Sequence, residues 1–281
     1  MNRLLSANFA RLWRSKIFYG LGLFMIGYSV MFYRDVYMTL HVKHKEYTNW
    51  NFAFFGGLLP IGIALAVFVS FYIGTEYSSG TIRNKIATGH SRFHIYMANL
   101  LVCYAAAVIT MTVYCLISLM MGVILVGKVA ISGIRQPGWG VLITLAIIMA
   151  YTAALVFIAM IDMNIARTGI VSLLSAMLIL GAGMLVIQRL EMPEYTTRME
   201  EVQDEYGKVK MVEKTVLNSN YLSGERRRVY ECARLLLPSS QVVEVNNNNA
   251  EYSVKMPLCM LGEAFLFTVA GIWIFCRRDV R

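Results

Sequence analysis

Apolar residues gather along the chain into runs at 17–33, 52–73, 97–126, 139–161, 168–187 and 258–276, with polar stretches between them. A helix crosses about 30 Å of hydrocarbon in roughly 17–25 residues. The pattern therefore predicts an all-α membrane protein with six transmembrane helices. The alternating segments of about ten residues that mark an outer-membrane barrel do not occur. The third run is too long for an untilted crossing, so it must tilt or extend past the bilayer. Gly56, Gly57 and Pro60 in the second run predict a bend or a close packing point along a pathway. Proline removes a backbone hydrogen bond from a helix, and glycine lets neighbouring helices approach.

The polar stretches differ in kind. Residues 1–16 place Leu5, Phe9, Leu12 and Trp13 at helical spacing among Arg3, Arg11 and Arg14. That is the pattern of an interfacial helix, with Trp13 at headgroup depth. The connection 34–51 holds His41 and His44, but Lys43 and Lys45 oppose a metal cation and no third ligand is at hand, so a solvated loop is expected. Residues 188–257 are the only stretch large enough to build a small structure outside the bilayer. A turn signal at 204–207 followed by alternation over 208–211 predicts a hairpin. Ser223 is placed to cap a helix running to Leu237, with Val229, Ala233, Leu236 and Leu237 on one stripe and Pro238 ending it. The asparagine run 246–249 reads as a loop. The chain thus divides into an N-terminal segment 1–16, five helices within 17–187, the segment 188–257, and a last helix with its tail over 258–281.

Residues 74–96 stand apart. A bare connection between spans needs two to eight residues, whereas this one is far longer, mixes basic residues with helix formers, and carries Gly74, Gly80 and Gly89. Its centre, 79–87, predicts a short helix, started by Ser78 or Ser79 as cap and ended by Gly89 in the left-handed conformation. Ile82 and Ile86 fall on one face, and Arg83 and Lys85 point elsewhere.

The net charge of +9 raises the question of nucleic acid, but its distribution speaks for a membrane. With the N-terminus inside, the short inner segments hold Arg3, Arg11, Arg14, Lys16, Arg83, Lys85, Arg92, Arg167, Arg277, Arg278 and Arg281. The short outer loops hold only Arg34, Lys43, Lys45, Lys128 and Arg135. This bias places both termini in the cytoplasm and turns the basic surplus toward anionic lipid, with no nucleic-acid partner expected.

The order Glu76-Tyr77, Gly80-Thr81-Ile82-Arg83-Asn84-Lys85, Thr88-Gly89, Ser91-Arg92 and Ile95-Tyr96 resembles the cytoplasmic coupling region of ABC-type export permeases. These are bacterial six-span subunits that carry no ATPase of their own. The phrase from Asn220 to Glu231, followed by Leu237-Pro-Ser-Ser-Gln241, resembles the outer segment before the last span in the same family. The resemblance implies that 76–92 docks into a groove on a separate ATP-binding subunit. Glu76, Gly80, Thr81, Ile82, Arg83, Asn84, Lys85, Gly89 and Arg92 would be the coupling residues. It implies a flanking role for 1–16 and a second, smaller contact at the turn from Asp162 to Arg167, where a local ion pair or plain capping explains the residues equally well. A second permease subunit, identical or related, would complete the membrane part. ATP and Mg would sit in the partner, with no cofactor on this chain. Export of antimicrobial peptides, drugs or other amphipathic compounds across a bacterial cell membrane would be the function.

Other chemistry is thin. No P-loop spacing is present, since 74–81 lacks both the interval and the lysine. No Gly-x-Ser-x-Gly elbow or His-Glu-x-x-His occurs, so an enzyme is not expected. Five cysteines form no Cys-x-x-Cys pair and read as packing residues. Glu263 lies inside the last run and is a candidate for a pathway or gate along with Pro60, because a carboxyl group in hydrocarbon must face a cavity, a partner or the interface. Arg226, Arg227 and Arg228 offer cations to an acidic ligand or lipid phosphate, with Glu225 and Glu231 close enough to neutralise them. Two other functions fit the same chain: an ion- or proton-coupled carrier, which calls for several intramembrane charges and an internal repeat, and a membrane-anchored sensor reading ligands through 188–257.

Overall fold

The computed structural model describes residues 1–42, 50–126, 137–203, 209–247 and 253–278. Six of its helices are long and apolar enough to cross a membrane. The first is α2 (Lys16–Tyr37), which follows the N-terminal helix α1 (Asn2–Arg14) and continues into a π-helical turn at Met38–Val42. The second is broken into α3 (Trp50–Phe55) and α4 (Leu58–Ser78). A short helix α5 (Thr81–Ala87) leads to α6 (Arg92–Val126), and then come α7 (Pro137–Asp162) and α8 (Ile165–Leu190). Strands β1 (Tyr195–Gln203) and β2 (Val209–Leu217), helices α9 (Gly224–Leu236) and α10 (Pro238–Asn246), and the last span α11 (Lys255–Arg277) complete the order.

Hydrophobicity decides which helices are central. α4 and α7 are apolar all round and form the middle of the bundle, as such helices must. α2, α6, α8 and α11 surround them, each with one face turned outward. α6 has 35 residues, about 52 Å at 1.5 Å per residue, so it runs well past a hydrocarbon core, as its run length implied.

The break between α3 and α4 is at Gly56 and Gly57, not at Pro60. A Cβ on Gly57 would lie 2.6 Å from the Tyr114 ring, and one on Gly56 2.4 Å from the Phe52 carbonyl oxygen. Pro60 falls in the first turn of α4, where its missing N–H would have had no helical partner anyway. The two glycines make the tight contact, and the proline only starts the helix.

The connection after α8 departs most from expectation. β1 and β2 pair antiparallel from Tyr195 with Leu217 to Gln203 with Val209. The predicted turn at 204–207 lies outside the described residues. Asn218 closes the base of this hairpin, its amide donating to the Pro193 carbonyl at 3.0 Å. Arg189 on the last turn of α8 donates to Asn220 at 3.0 Å, so the chain is back at that end of the bundle before α9 begins. It then descends. Ser239 and Ser240 at the start of α10 donate to the carbonyl oxygens of Ile179 and Gly183 on α8, and Asn247 just past α10 reaches Glu191 at 3.3 Å. Ile179 lies about 16 Å below the end of α8 at helical rise. The pair α9–α10 is therefore a re-entrant helical hairpin whose tip reaches into the bundle.

This corrects three expectations. Pro238 does not merely end α9 but opens α10 at its first position, where proline is well suited. Asn246 is the buried last residue of α10 and not part of a loop; 248–252 lie outside the described residues. The stripe of Val229 and Leu236 faces away from the bundle, as a hairpin dipping beside the spans requires, whereas Leu235 packs inward.

Candidate functional site

Gly80 organises the stretch between α4 and α6. It adopts φ 69°, its N–H bonds the Tyr77 carbonyl at 3.1 Å to close α4, and its own carbonyl accepts from Asn84 at 3.0 Å to open α5. One left-handed residue both ends a span and starts the short helix. No serine caps α5: the Ser79 hydroxyl bonds the Thr75 carbonyl and the Thr81 hydroxyl, each at 2.7 Å. The other end follows the sequence reading. Gly89 has φ 86°, with its N–H on the Ile86 carbonyl and that of His90 on the Lys85 carbonyl, the double bond of a Schellman cap. Ile82 is fully buried and Ile86 packs against the same core, while Arg83 and Asn84 are exposed.

Lys85 does not point elsewhere, as its position on the helical wheel suggested. Its side chain is 12% exposed, and its ammonium donates to the Glu76 carboxylate and, at 2.9 Å, to Asn8 Oδ1. Glu76 on the last turns of α4 is inaccessible to solvent and receives three groups. Arg11 reaches it at 2.8 Å, Asn99 donates to its second oxygen at 2.9 Å, and Lys85 completes the set. Asn8 donates in turn to Asn99 Oδ1 at 3.1 Å, so Glu76, Lys85, Asn8 and Asn99 form a closed hydrogen-bonded ring. Tyr72 donates to the Asn8 carbonyl at 2.9 Å, and the Arg11 guanidinium lies 3.8 Å above its ring centre. Burial pushes the Lys85 ammonium below the ordinary lysine range, and the neighbouring carboxylate pulls it back up.

Four elements meet in this knot: α1 through Asn8 and Arg11, α4 through Tyr72 and Glu76, α5 through Lys85, and α6 through Asn99. A buried carboxylate with several charge-assisted donors is geometrically demanding. The knot therefore makes α5 rigid with the ends of two spans and with α1. Lys85 and Glu76 are engaged with each other and with Asn8, Arg11 and Asn99, and among the described residues no group of three metal-ligating side chains occurs.

A second set of contacts ties the same end of the bundle together. Arg92 at the start of α6 donates to the carbonyl oxygens of Phe275, at 3.2 Å, and Arg278 beyond the end of α11. Arg278 in turn donates to the Ile161 carbonyl in the last turn of α7. Cations satisfying the free carbonyls at helix ends also complement their dipoles. Replacing Arg92 with Met should orphan those carbonyls, with a loss of about 1–3 kcal/mol visible as a lower thermal midpoint in detergent. Arg92 is thus committed inside the chain. The turn after α7 forms a local Asp162–Arg167 ion pair, and Asn164 caps α8 by accepting from the Arg167 N–H at 3.1 Å.

The remaining candidates stay apart from the knot. Glu263 is half-buried on α11 with no hydrogen-bond or ion-pair partner among the described residues. Arg227 pairs with Glu231 at 3.2 Å, while Arg226 and Arg228 are exposed on α9. His41 stacks on Tyr37 with ring centres 4.4 Å apart, and His44 lies outside the described residues. Asn8 and Asn99 were not anticipated as site residues. Asn8 had one legible signal: it occupies the middle of the buried row Leu4, Asn8, Leu12, where helical spacing calls for an apolar residue. Leu5 and Phe9 flank this row, partly buried against the core, and Trp13 is exposed.

No protein family and no curated protein matches the chain.

Proposed function

We propose that this chain is the six-span permease subunit of an ABC-type exporter, driven by a separate ATP-binding subunit and moving peptides, drugs or other amphipathic compounds out of the cell. The observation that carries the reading is α5. It is a short helix with a free polar face, Arg83 and Asn84, and a base locked by Lys85, Glu76, Asn8 and Asn99 to α1, α4 and α6. A helix of this build transmits force, because what displaces it must displace the spans. The division of labour within the motif follows: Arg83, Asn84 and Thr88 form the docking surface, Gly80 and Gly89 shape it, and Glu76, Ile82 and Lys85 anchor it. The exporter would assemble two permease subunits with two ATP-binding subunits, with α5 on the cytoplasmic side, the side that the charge bias of the short loops favours.

The distinction between anchor and surface selects the test. Arg83→Glu changes an exposed residue and leaves the knot intact, whereas reversing Lys85 would disrupt the fold and confuse the result. Co-purification with the ATP-binding subunit expressed beside it should fall at least about tenfold in Arg83→Glu, the equivalent of about 1.4 kcal/mol, with the melting curve unchanged. Full retention of the partner by this variant would remove α5 as the docking element.

A further inference from the structure

An apolar groove of about 340 Å³ lies between α2 and α4, close to the elbow where α1 turns into α2. Its α2 wall is Ile17, Gly20, Leu21 and Phe24, and Ala64, Val67 and Phe68 stand opposite. Gly20 adds no side chain to this wall, and a Cβ there would stand in open space, with nothing within 4 Å. The groove belongs to the outer face of the bundle, so in a membrane it fills with hydrocarbon. The question is whether it selects what fills it.

The mouth of the groove supplies the chemistry. Lys16 sits one turn before Gly20 on the same face of α2, and Arg14 is in the last turn of α1. Both are exposed, as is half of Trp13. The elbow that carries them is held in place: Tyr19 donates to the Trp13 carbonyl at 2.9 Å, and the Trp13 and Phe18 rings meet edge to face at 5.7 Å. No acidic residue lies in α1 or in the first turn of α2, and the Glu76 carboxylate that Arg11 of α1 meets is enclosed in the knot. An apolar slot ending beside two cations that have no acidic partner among the described residues and an exposed indole is complementary to one lipid shape, an acyl chain beneath a negatively charged phosphate.

We infer that the groove between α2 and α4 is a binding site for one anionic glycerophospholipid, its acyl chain against Gly20 and its phosphate at Lys16 and Arg14. The site requires only that α2 and α4 span a bilayer and does not depend on the transport reading. Lipid held there would also brace the elbow of α1, the helix that brings Asn8 and Arg11 to the knot.

The test is native mass spectrometry of the purified chain, offered phosphatidylglycerol or phosphatidylcholine with identical acyl chains. The expected result is one retained phosphatidylglycerol per chain, preferred over phosphatidylcholine by about fivefold for each cation that meets the phosphate. Gly20→Leu fills the groove and should abolish that adduct, while Gly22→Leu, another glycine whose Cβ would meet nothing, should not. Lys16→Gln should keep a lipid in the groove but lose most of the preference for phosphatidylglycerol. Equal retention of the two lipids by the wild type, or an unchanged adduct in Gly20→Leu, would overturn the assignment. So would efficient copy-to-copy crosslinking through Gly20→Cys in liposomes, because a second chain would then occupy the groove.

Discussion

Glu76→Gln is expected to lose about 3–5 kcal/mol of folding stability, the cost of removing one partner from a buried ion pair. The variant leaves Arg11 and Lys85 facing each other with no carboxylate between them, in surroundings that already press Lys85 toward its neutral form. The damage should appear first in α1, which the knot fastens to α6 through Asn8 and to α4 through Arg11 and the Tyr72 hydroxyl. Limited trypsin digestion should therefore cut at Arg11 and Arg14 well before the spans unfold, alongside a lower thermal midpoint. Replacing the trio together, with Arg11→Met, Glu76→Leu and Lys85→Met, should recover most of the midpoint, because the charges are worth little once none is left unpaired. A Glu76→Gln variant that melts within about 1 kcal/mol of the wild type would mean that water or counter-ions already compensate these charges. The knot would then not be what makes α5 rigid.

How far this site could be foreseen depends on what kind of signal each residue leaves. The six spans are written in the run lengths, since nothing but hydrocarbon selects for twenty apolar residues in succession, and they fall where the runs predict. Gly89 was legible because a helix end that needs a left-handed residue leaves few alternatives to glycine. Lys85 was misplaced because a wheel drawn for the short helix expected at 79–87 assigns polar residues to solvent. The partner that overrides this, Glu76, belongs to the previous helix and comes within reach only after Gly80 has reversed the chain. Asn99 is invisible for the same reason: a single amide inside an apolar run reads as tolerated until Asn8, ninety-one positions earlier, is placed against it. α10 failed differently. Pro238 is a valid stop for one helix and an equally valid start for the next, and the choice is made by Gly183 on another element.

Gly183→Ala is expected to dislodge the re-entrant hairpin. A Cβ at this position would lie 2.1 Å from the Ser239 hydroxyl oxygen, 2.5 Å from the Ser240 backbone nitrogen and 2.7 Å from the Ser239 carbonyl carbon. Two of these three atoms are backbone, so no rotamer change relieves the contact and α10 itself must move. Moving it breaks the hydrogen bonds from Ser239 and Ser240 to Ile179 and Gly183, which bring the tip to that depth. Overpacking costs about 1–3 kcal/mol where side chains can adjust, and the loss here should reach the upper part of that range. The readout is trypsin cleavage after Arg234, whose side chain is held across the hairpin by Glu244 at 3.6 Å. Cleavage should accelerate at least about tenfold in Gly183→Ala, while Gly181→Ala, where an added Cβ meets nothing, should digest like the wild type. If transport proceeds past this tip, the same variant should also uncouple ATP hydrolysis from export in the assembled complex. On the same reading, α5 at the opposite end of the bundle would keep its hold on the proposed ATP-binding subunit. Loss of both together would instead place the hairpin and α5 in a single cooperative unit.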